Sequence, residues 1–302
     1  MAPRLIINAD DFGLTPGVDR AIAELHLAKA LSSATLMATG AAFEDAVAIA
    51  HANPTLGVGC HIVLTDGVPA SPPERIPTLL GPDGKNFRPS LIDFVQALLR
   101  GKIREAEIEH EAFAQIQKLQ QAGIDVTHID THKHTHLFPA VARSLLRVAE
   151  RSSIRAIRYP FEQSWSLALD HGNRIRRLQV KLLSRLKANF EHQPQIQNQQ
   201  VLTTDATIGI SATGNLYGET LHEILHAIPP DGTFELCCHP GYNDRDLDGI
   251  TTRLRAHRDI ERTALLAEIP ALALHPNAPR LINYRDLEGL QAGSQLASSQ
   301  RT

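Results

Sequence analysis

Residues 4–13 read RLIINADDFG, an apolar run that ends in two aspartates and a glycine. A short apolar run closed by turn-forming residues is typical of a buried strand. Thr15 and Pro16 then supply an N-cap and a first-turn proline, and apolar residues follow at helical spacing as far as Ser32. The opening of the chain therefore predicts a strand, a turn that carries two carboxylates, and a helix.

The alternation of strand and helix continues along the rest of the chain. Apolar runs predict further strands at residues 34–39, 56–64, 126–130, 154–159, 207–211 and 233–238. Helical spacing predicts helices at residues 44–52, 139–151, 217–227 and 252–267, and a pair across residues 90–121. Such alternation builds a mostly parallel sheet, and about seven strands favour an α/β fold of the distorted TIM-like (β/α) barrel type.

The chain shows no sign of division into separate domains. Residues 69–89 are rich in proline and glycine, so we expect a long loop over one end of the barrel. After residue 290 the chain consists mainly of glutamine, serine, alanine and glycine and lacks core residues. We therefore predict a single barrel domain at residues 1–290 and a disordered tail at residues 291–302.

Composition excludes several classes of protein. With 302 residues and 43% hydrophobic character, the chain can fill a large core. Its 30 basic and 33 acidic residues give a formal charge of −3, which provides no global field for binding nucleic acid. Three cysteines form no disulfide framework, and no apolar stretch is long enough to span a membrane. We expect a cytoplasmic protein, with peripheral contact at the inner face of the membrane left open and a homodimer as the commonest oligomeric state.

Side chains that can ligate a metal follow several of the predicted strands. They are the pair Asp10 and Asp11, His61, the segment HIDTHKHTH at residues 128–136, and the segment CHPGY at residues 238–242. An aspartate pair before glycine is often only a turn, and a lone histidine is more often a core residue than a ligand. Four histidines in one short segment are harder to explain in this way, because imidazoles close in space suit a transition metal.

These residues supply the parts of a metal-dependent hydrolase. A catalytic metal needs about three protein ligands and an open position, which one aspartate of the pair, His61 and one histidine of residues 128–136 would provide. The second aspartate could then take a proton from a metal-bound water, and His239 could protonate the leaving group. The spacing leaves open which aspartate and which histidine bind the metal.

Four segments together resemble a known family. They are LIINADDFGL at residues 5–14, GCHIVLT at residues 59–65, THIDTHKH at residues 127–134 and CHPG at residues 238–241. In this order they resemble the YdjC-like carbohydrate deacetylases, which are relatives of chitooligosaccharide deacetylase, and the resemblance extends from Arg4 to about Leu266. Among the subgroups, the chain is most similar to the hopanoid-biosynthesis-associated deacetylases called HpnK.

The resemblance implies an activity and a role for each main residue. It implies a distorted (β/α) barrel that binds one divalent metal and removes acetate from an N-acetylated amino sugar, for HpnK an N-acetylglucosaminyl hopanoid glycolipid. Carried over to this chain, it makes Asp11, His61 and His132 the metal ligands, Asp10 the general base and His239 the general acid.

The remaining polar residues of these segments receive supporting roles. His128, Asp130 and His134 fall outside the ligand set, so we expect them to orient the ligands or to face the substrate. Arg158 would orient the base or line the sugar pocket. Two nitrogens and one oxygen favour zinc or another transition metal, whereas relatives are often described with magnesium.

Two other functions compete with deacetylation. Histidine-rich barrels also hydrolyse phosphate esters, although the sequence offers no second acidic cluster for a two-metal phosphoesterase. A non-catalytic glycolipid-binding protein is the other alternative, but binding alone does not need the spare carboxylate of Asp10.

Residues 173–190 form a basic amphipathic segment. Six basic residues occur there without an acid: Arg174, Arg176, Arg177, Lys181, Arg185 and Lys187. As a helix, the segment would place leucines on one face and cations along both flanks. It is either a helix that packs on the barrel with its cations in solvent, or a membrane-surface or lid helix that meets an anionic bilayer.

Overall fold

A computed structural model of the chain describes residues 2–169, 174–250 and 252–289, with residues 174–177 described for their backbone alone. Its strands are β1 Arg4–Phe12, β2 Ser33–Leu36, β3 Gly57–Ile62, β4 Val126–Thr131, β5 Ala206–Ile208, β6 Thr233–Cys238 and β7 Arg280–Leu281. The sheet has the order β4-β3-β2-β1-β6-β5, and β7 also pairs with β1. Among the described residues, these strands pair in parallel throughout. The sheet curls into a half-barrel, which confirms the predicted single-domain α/β fold of the distorted TIM-like type.

Helices connect successive strands along the outside of the sheet. They are α1 Pro16–Leu27, α2 Phe43–Ala52, α3 Leu91–Leu99, α4 Glu105–Gln121, α5 Pro139–Arg151, α6 Ser164–Leu169, α7 Arg174–Leu183, α8 Lys187–Glu191, α9 Pro194–Gln197, α10 Gly218–His226 and α11 Ala256–Leu272. Short 3-10 helices occur at Pro73–Arg75, His132–Leu137, Ser184–Leu186 and Arg245–Gly249. Thr15 caps α1 as predicted, because its side chain accepts a hydrogen bond from the backbone of Val18. Among the described residues, no helix is both long and apolar enough to cross a bilayer.

The two faces of the central strand β1 pack into different parts of the protein interior. Leu5 and Ile7 pack into the large apolar core, whereas Ile6 belongs to a small cluster with Tyr284 on the opposite face. Asn8 lies on the same face as Ile6, because side chains alternate along a strand. A sheet that is buried on both faces needs this pattern, and it lets polar groups collect inside the half-barrel.

Two predicted strands differ from the structure. Residues 154–159 do not form a regular strand but make isolated parallel bridges, Ile129 with Ile157 and Ala156 with Leu202. Pro160 has no N–H with which to continue that ladder. The strand predicted at residues 207–211 ends at Ile208, because Gly209 adopts a φ of 91°.

The ends of the predicted domain are only partly described. Residues 290–302, which include the predicted tail, lie outside the described residues, so the domain boundary stays a prediction. The loop predicted at residues 69–89 contains one 3-10 turn and an antiparallel bridge between Leu80 and Phe87, and it borders the cleft described below.

Candidate active site

An irregularity in β1 sets the directions of the two adjacent aspartates. The strand continues through both aspartates to Phe12. Its register against β2 shifts between Ala9 and Phe12. Asp11 has a φ of 65°, in the left-handed region. Such a backbone costs about 1–2 kcal/mol for a residue with a side chain, and positions of this kind cluster at functional sites. The irregularity lets both carboxylates line one cleft, whereas a regular strand would place them on opposite faces.

Asp11, His61 and His132 converge from three different segments of the chain. Asp11 Oδ1 lies 3.4 Å from His61 Nε2 and 3.3 Å from His132 Nδ1. This oxygen is buried and has no hydrogen-bond partner among the described residues. A buried carboxylate oxygen without a partner is costly, and two imidazole nitrogens beside it complete a donor set that fits a divalent cation. The residues therefore suit the metal that the resemblance implies.

His61 is oriented by a second carboxylate. Its Nδ1 donates to Asp130 Oδ1 over 2.8 Å, which directs Nε2 towards Asp11. Burial alone would lower the pKa of His61, but the neighbouring Asp130, Asp11 and Asp10 raise it to about 10. A cation that binds Nε2 must displace this proton.

Asp10 is held by a buried arginine. Arg158 Nη1 and Nη2 donate to its two carboxylate oxygens over 2.8 and 2.6 Å, and Asn8 Nδ2 donates to Oδ1 over 3.1 Å. Burial would raise the pKa of Asp10, but the Arg158 guanidinium outweighs it and holds this pKa well below its usual range. Two other groups of candidate ligands include Asp10, one with His134 and Cys237 and one with His61 and Asp130. They suit a cation less well, because the oxygens of Asp10 already accept from Arg158.

His239 follows β6 and lies beside Asp10. Its Nε2 is 3.8 Å from Asp10 Oδ2, and its backbone N–H donates to Glu261 Oε2 over 2.6 Å. Burial lowers the pKa of His239 to about 4, although Asp10 and Asp11 oppose this shift. The imidazole is therefore neutral at pH 7.

The histidine-rich segment is divided by a kink. Lys133 and His134 have φ values of 56° and 52°, so the chain leaves β4 in a left-handed turn and its histidines do not share one face. His132 joins Asp11 and His61, and His134 lines the cleft. His128 points into the half-barrel, where it stacks on Tyr284 with ring centroids 3.8 Å apart. It does not line the cleft.

Asp10, Asp11, His61, His132 and His239 line a cleft of about 1400 Å³. Its walls come from the loop at residues 81–90, the turn at residues 213–215 and the segment that leads into α11. The volume exceeds the roughly 300–1,000 Å³ of most small-molecule sites. The cleft therefore has room for an extended ligand beside the carboxylates and histidines of the protein.

A family profile described as YdjC-like protein matches residues 4–273. The chain belongs to this family. Its relatives include three proteins named carbohydrate deacetylase. The Thermoanaerobacter pseudethanolicus protein is 28% identical over 284 residues, which cover 94% of this chain and 99% of that protein. The human protein is 30% identical over 257 residues, with coverage of 79% and 75%. The Brevibacillus brevis protein is 41% identical over 158 residues, with coverage of 52% and 60%.

The fold of this YdjC-like protein has a counterpart among solved structures. A candidate cellobiose-phosphate cleavage protein from Enterococcus faecalis superimposes with a TM-score of 0.73. It is 25% identical, and the match covers 95% of this chain and 99% of that protein.

Sequence reasoning did not find several residues of the YdjC-like site. Arg258 Nη2 donates to Asp11 Oδ2 over 2.6 Å, and Glu261 holds the backbone of His239. Both lie on α11, and a charged residue in a helix does not by itself indicate a functional role in the sequence. Glu235 accepts from Arg158 Nε over 2.8 Å inside the half-barrel. An acid within the apolar run of β6 was the one visible signal, since a buried carboxylate needs a partner.

Proposed function

We propose that this YdjC-like protein is a carbohydrate deacetylase, a hydrolase that removes acetate from an N-acetylated amino sugar. The observation that carries this proposal is the partnerless Oδ1 of Asp11, which faces His61 and His132 beside a separately held Asp10. One carboxylate is then available to ligate and the other to accept a proton. The names of the curated relatives support the same activity.

Asp11, His61 and His132 would hold one divalent cation. Two nitrogens and one oxygen resemble the three-ligand sets of catalytic zinc, so we propose zinc ahead of magnesium. When bound, such a cation polarises the acetyl carbonyl and lowers the pKa of a bound water. Asp130 would keep His61 in the tautomer that presents Nε2.

Asp10 would accept the proton of the attacking water. Arg158 and Asn8 fix its carboxylate at the floor of the cleft, next to but outside the ligand set. His128 supports this arrangement, because its Nε2 donates to Asn8 Oδ1 over 3.2 Å and leaves the amide nitrogen to Asp10. A base whose position is fixed before the reaction pays no reorganisation cost during it.

His239 would protonate the departing amine nitrogen. Its ring lines the cleft beside Asp10, and its buried Nδ1 has no hydrogen-bond partner in the part of the chain that the structure describes. Because the imidazole is neutral at pH 7, it must gain a proton before it can donate one. The neighbouring Asp10, which receives the proton of the water, is a suitable source at 3.8 Å.

For the finer substrate we propose an N-acetylglucosaminyl glycolipid of the hopanoid type, reached from the inner face of the membrane. The support lies on α7, where Leu178 and Leu182 are 68% and 56% exposed. Lys181 and Arg185 are also exposed in this segment. An exposed apolar face flanked by cations is typical of a helix that lies on an anionic bilayer. Asn173, at the start of the predicted basic segment, lies outside the described residues.

The proposal is tested by product analysis. Metal-loaded protein is incubated with an N-acetylglucosaminyl lipid, a chito-oligosaccharide and an aryl phosphate, and acetate and phosphate are measured. We expect acetate from the sugar substrates and no phosphate. Phosphate release would favour the phosphoesterase, and binding of the glycolipid without either product would favour a non-catalytic protein. Light scattering on the same preparation tests the predicted homodimer.

A further inference from the structure

A second group of histidines lies on the surface, on α10. Residues 222–226 read HEILH, so His222 and His226 are one helical turn apart on the same face. Both are exposed, and their rings stack with centroids 4.0 Å apart. Two histidines at this spacing on a helix are a common arrangement for binding zinc.

The hydrogen bonds of both rings leave the same nitrogen free to ligate. His222 Nδ1 lies 2.9 Å from Glu268 Oε2, and His226 Nδ1 lies 2.9 Å from the backbone oxygen of His222. A carboxylate and a carbonyl can only accept, so each Nδ1 carries the proton. Each Nε2 then has an available lone pair, and a carboxylate behind a ligating imidazole is the usual means of fixing its tautomer.

The surroundings provide a rigid base and a third ligand. Leu221, Ile224 and Leu225 are buried, which anchors α10 on the barrel. His275, which follows α11, has its ring centroid 6.0 Å from that of His226. His275 is therefore the candidate for a third ligand beside the other two.

We propose that His222 and His226, completed by His275, form a second site for a divalent transition metal such as zinc, nickel or copper. None of these residues lines the cleft, so the site is separate from Asp11, His61 and His132. Three imidazoles suit these metals and not magnesium or calcium, which prefer oxygen ligands. The proposal is independent of the deacetylase activity.

Equilibrium dialysis of the metal-stripped full chain against zinc tests this site. We expect the double variant His222→Gln/His226→Gln to bind one zinc fewer per chain than the wild type. His192→Gln is the matched control, because His192 is an exposed histidine outside the group, and it should bind as the wild type does. Equal zinc in the double variant and the wild type would overturn the proposal.

A second measurement separates the two sites. His61→Ala, which removes a cleft ligand, should still bind one zinc, and that zinc should be lost when His222 and His226 are also replaced. In an otherwise wild-type chain, Glu268→Gln should lower the zinc affinity of the surface site about tenfold or more. If His61→Ala fails to fold, copper electron paramagnetic resonance is used to compare the wild type with the double variant. Loss of one signal from copper bound to several nitrogens in the double variant supports the site, and identical spectra contradict it.

Discussion

Arg258 Nη2 lies 2.6 Å from Asp11 Oδ2, and both side chains are buried. This pair leaves only Oδ1 of Asp11 directed at His61 and His132. The adjacent Asp10 has an arginine of its own, Arg158, which occupies both of its oxygens. Two neighbouring carboxylates thus receive different environments, one with a free oxygen and one without. This difference is the physical basis for assigning Asp11 to the metal and Asp10 to proton transfer.

If Asp11 binds the metal and Asp10 accepts the proton, variants of the metal ligands and of Asp10 should behave differently. His61→Ala and His132→Ala should lose the metal of the cleft and the activity, because two remaining ligands hold a divalent ion poorly. Asp10→Asn should keep the metal and lose roughly two to four orders of magnitude in turnover, the usual contribution of a general base. Metal content by mass spectrometry and kcat for deacetylation check this. Full activity or lost metal in Asp10→Asn would contradict the assignment.

Arg258 should act through Asp11 and not on the substrate. Arg258→Met removes the cation that, against the effect of burial, keeps the pKa of Asp11 low. We expect metal affinity to fall about tenfold to a hundredfold, as for other partners of metal ligands. Calorimetric titration with zinc measures the change.

Arg262→Met is the control for that experiment. Arg262 lies one turn further along α11 and pairs with Glu24 over 2.8 Å, away from the cleft. Its replacement should leave metal affinity unchanged. Similar losses in both variants would mean that the effect comes from destabilising α11.

His239 as the general acid predicts a defect that depends on the leaving group. His239→Ala should cleave an N-acetyl sugar poorly but an activated acetyl ester comparatively well, since a good leaving group needs no proton. Steady-state rates on the two substrates give the ratio. Equal losses on both would assign His239 to binding or structure.

Glu261 predicts a pH dependence of stability. Burial raises its pKa from 4.5 to about 7, and the hydrogen bonds from His239 and Gly214 only partly oppose this. Between these pH values the folded protein keeps a proton that the unfolded chain has lost. The free energy of unfolding should therefore fall as pH rises from about 4.5 to about 7, by up to about 3 kcal/mol from this group.

Denaturant unfolding at several pH values tests this dependence. Glu261→Gln keeps an acceptor for the His239 N–H but cannot ionise, so its stability should fall less between pH 5 and pH 7. An unchanged slope in the variant would show that other groups cause the pH dependence.

The exposed face of α7 predicts salt-sensitive binding to anionic vesicles. Lys181→Gln/Arg185→Gln should weaken binding by about 2 kcal/mol at modest ionic strength, at about 1 kcal/mol for each charge. Activity on a membrane-embedded glycolipid should fall in parallel, while a short soluble N-acetyl sugar should be cleaved as before. Arg100→Gln/Lys102→Gln, just after the end of α3, removes the same number of exposed charges and is the control. If the wild-type protein does not bind anionic vesicles at low salt, the membrane role is excluded.

The pattern of the sequence predicted the α/β class, most of the helices and the parallel sheet, because hydrophobic period and turn residues are local properties. It also predicted which segments bring aspartates and histidines together, and these residues line one cleft, since they stand out where apolar strands end. It could not predict the irregular bridges at residues 156–157, where a proline ends a ladder that propensity alone would continue.

Tertiary structure decided how those residues divide the work. The left-handed backbone at Asp11, and at Lys133 and His134, gives side chains directions that a regular strand would not give them. The buried Arg158 and Arg258 reach the aspartates from 148 and 247 residues away in the chain. Charge neutralisation inside a barrel depends on which groups meet in space. A one-dimensional pattern contains the candidate ligands, but it does not show the partners that set their charge and direction.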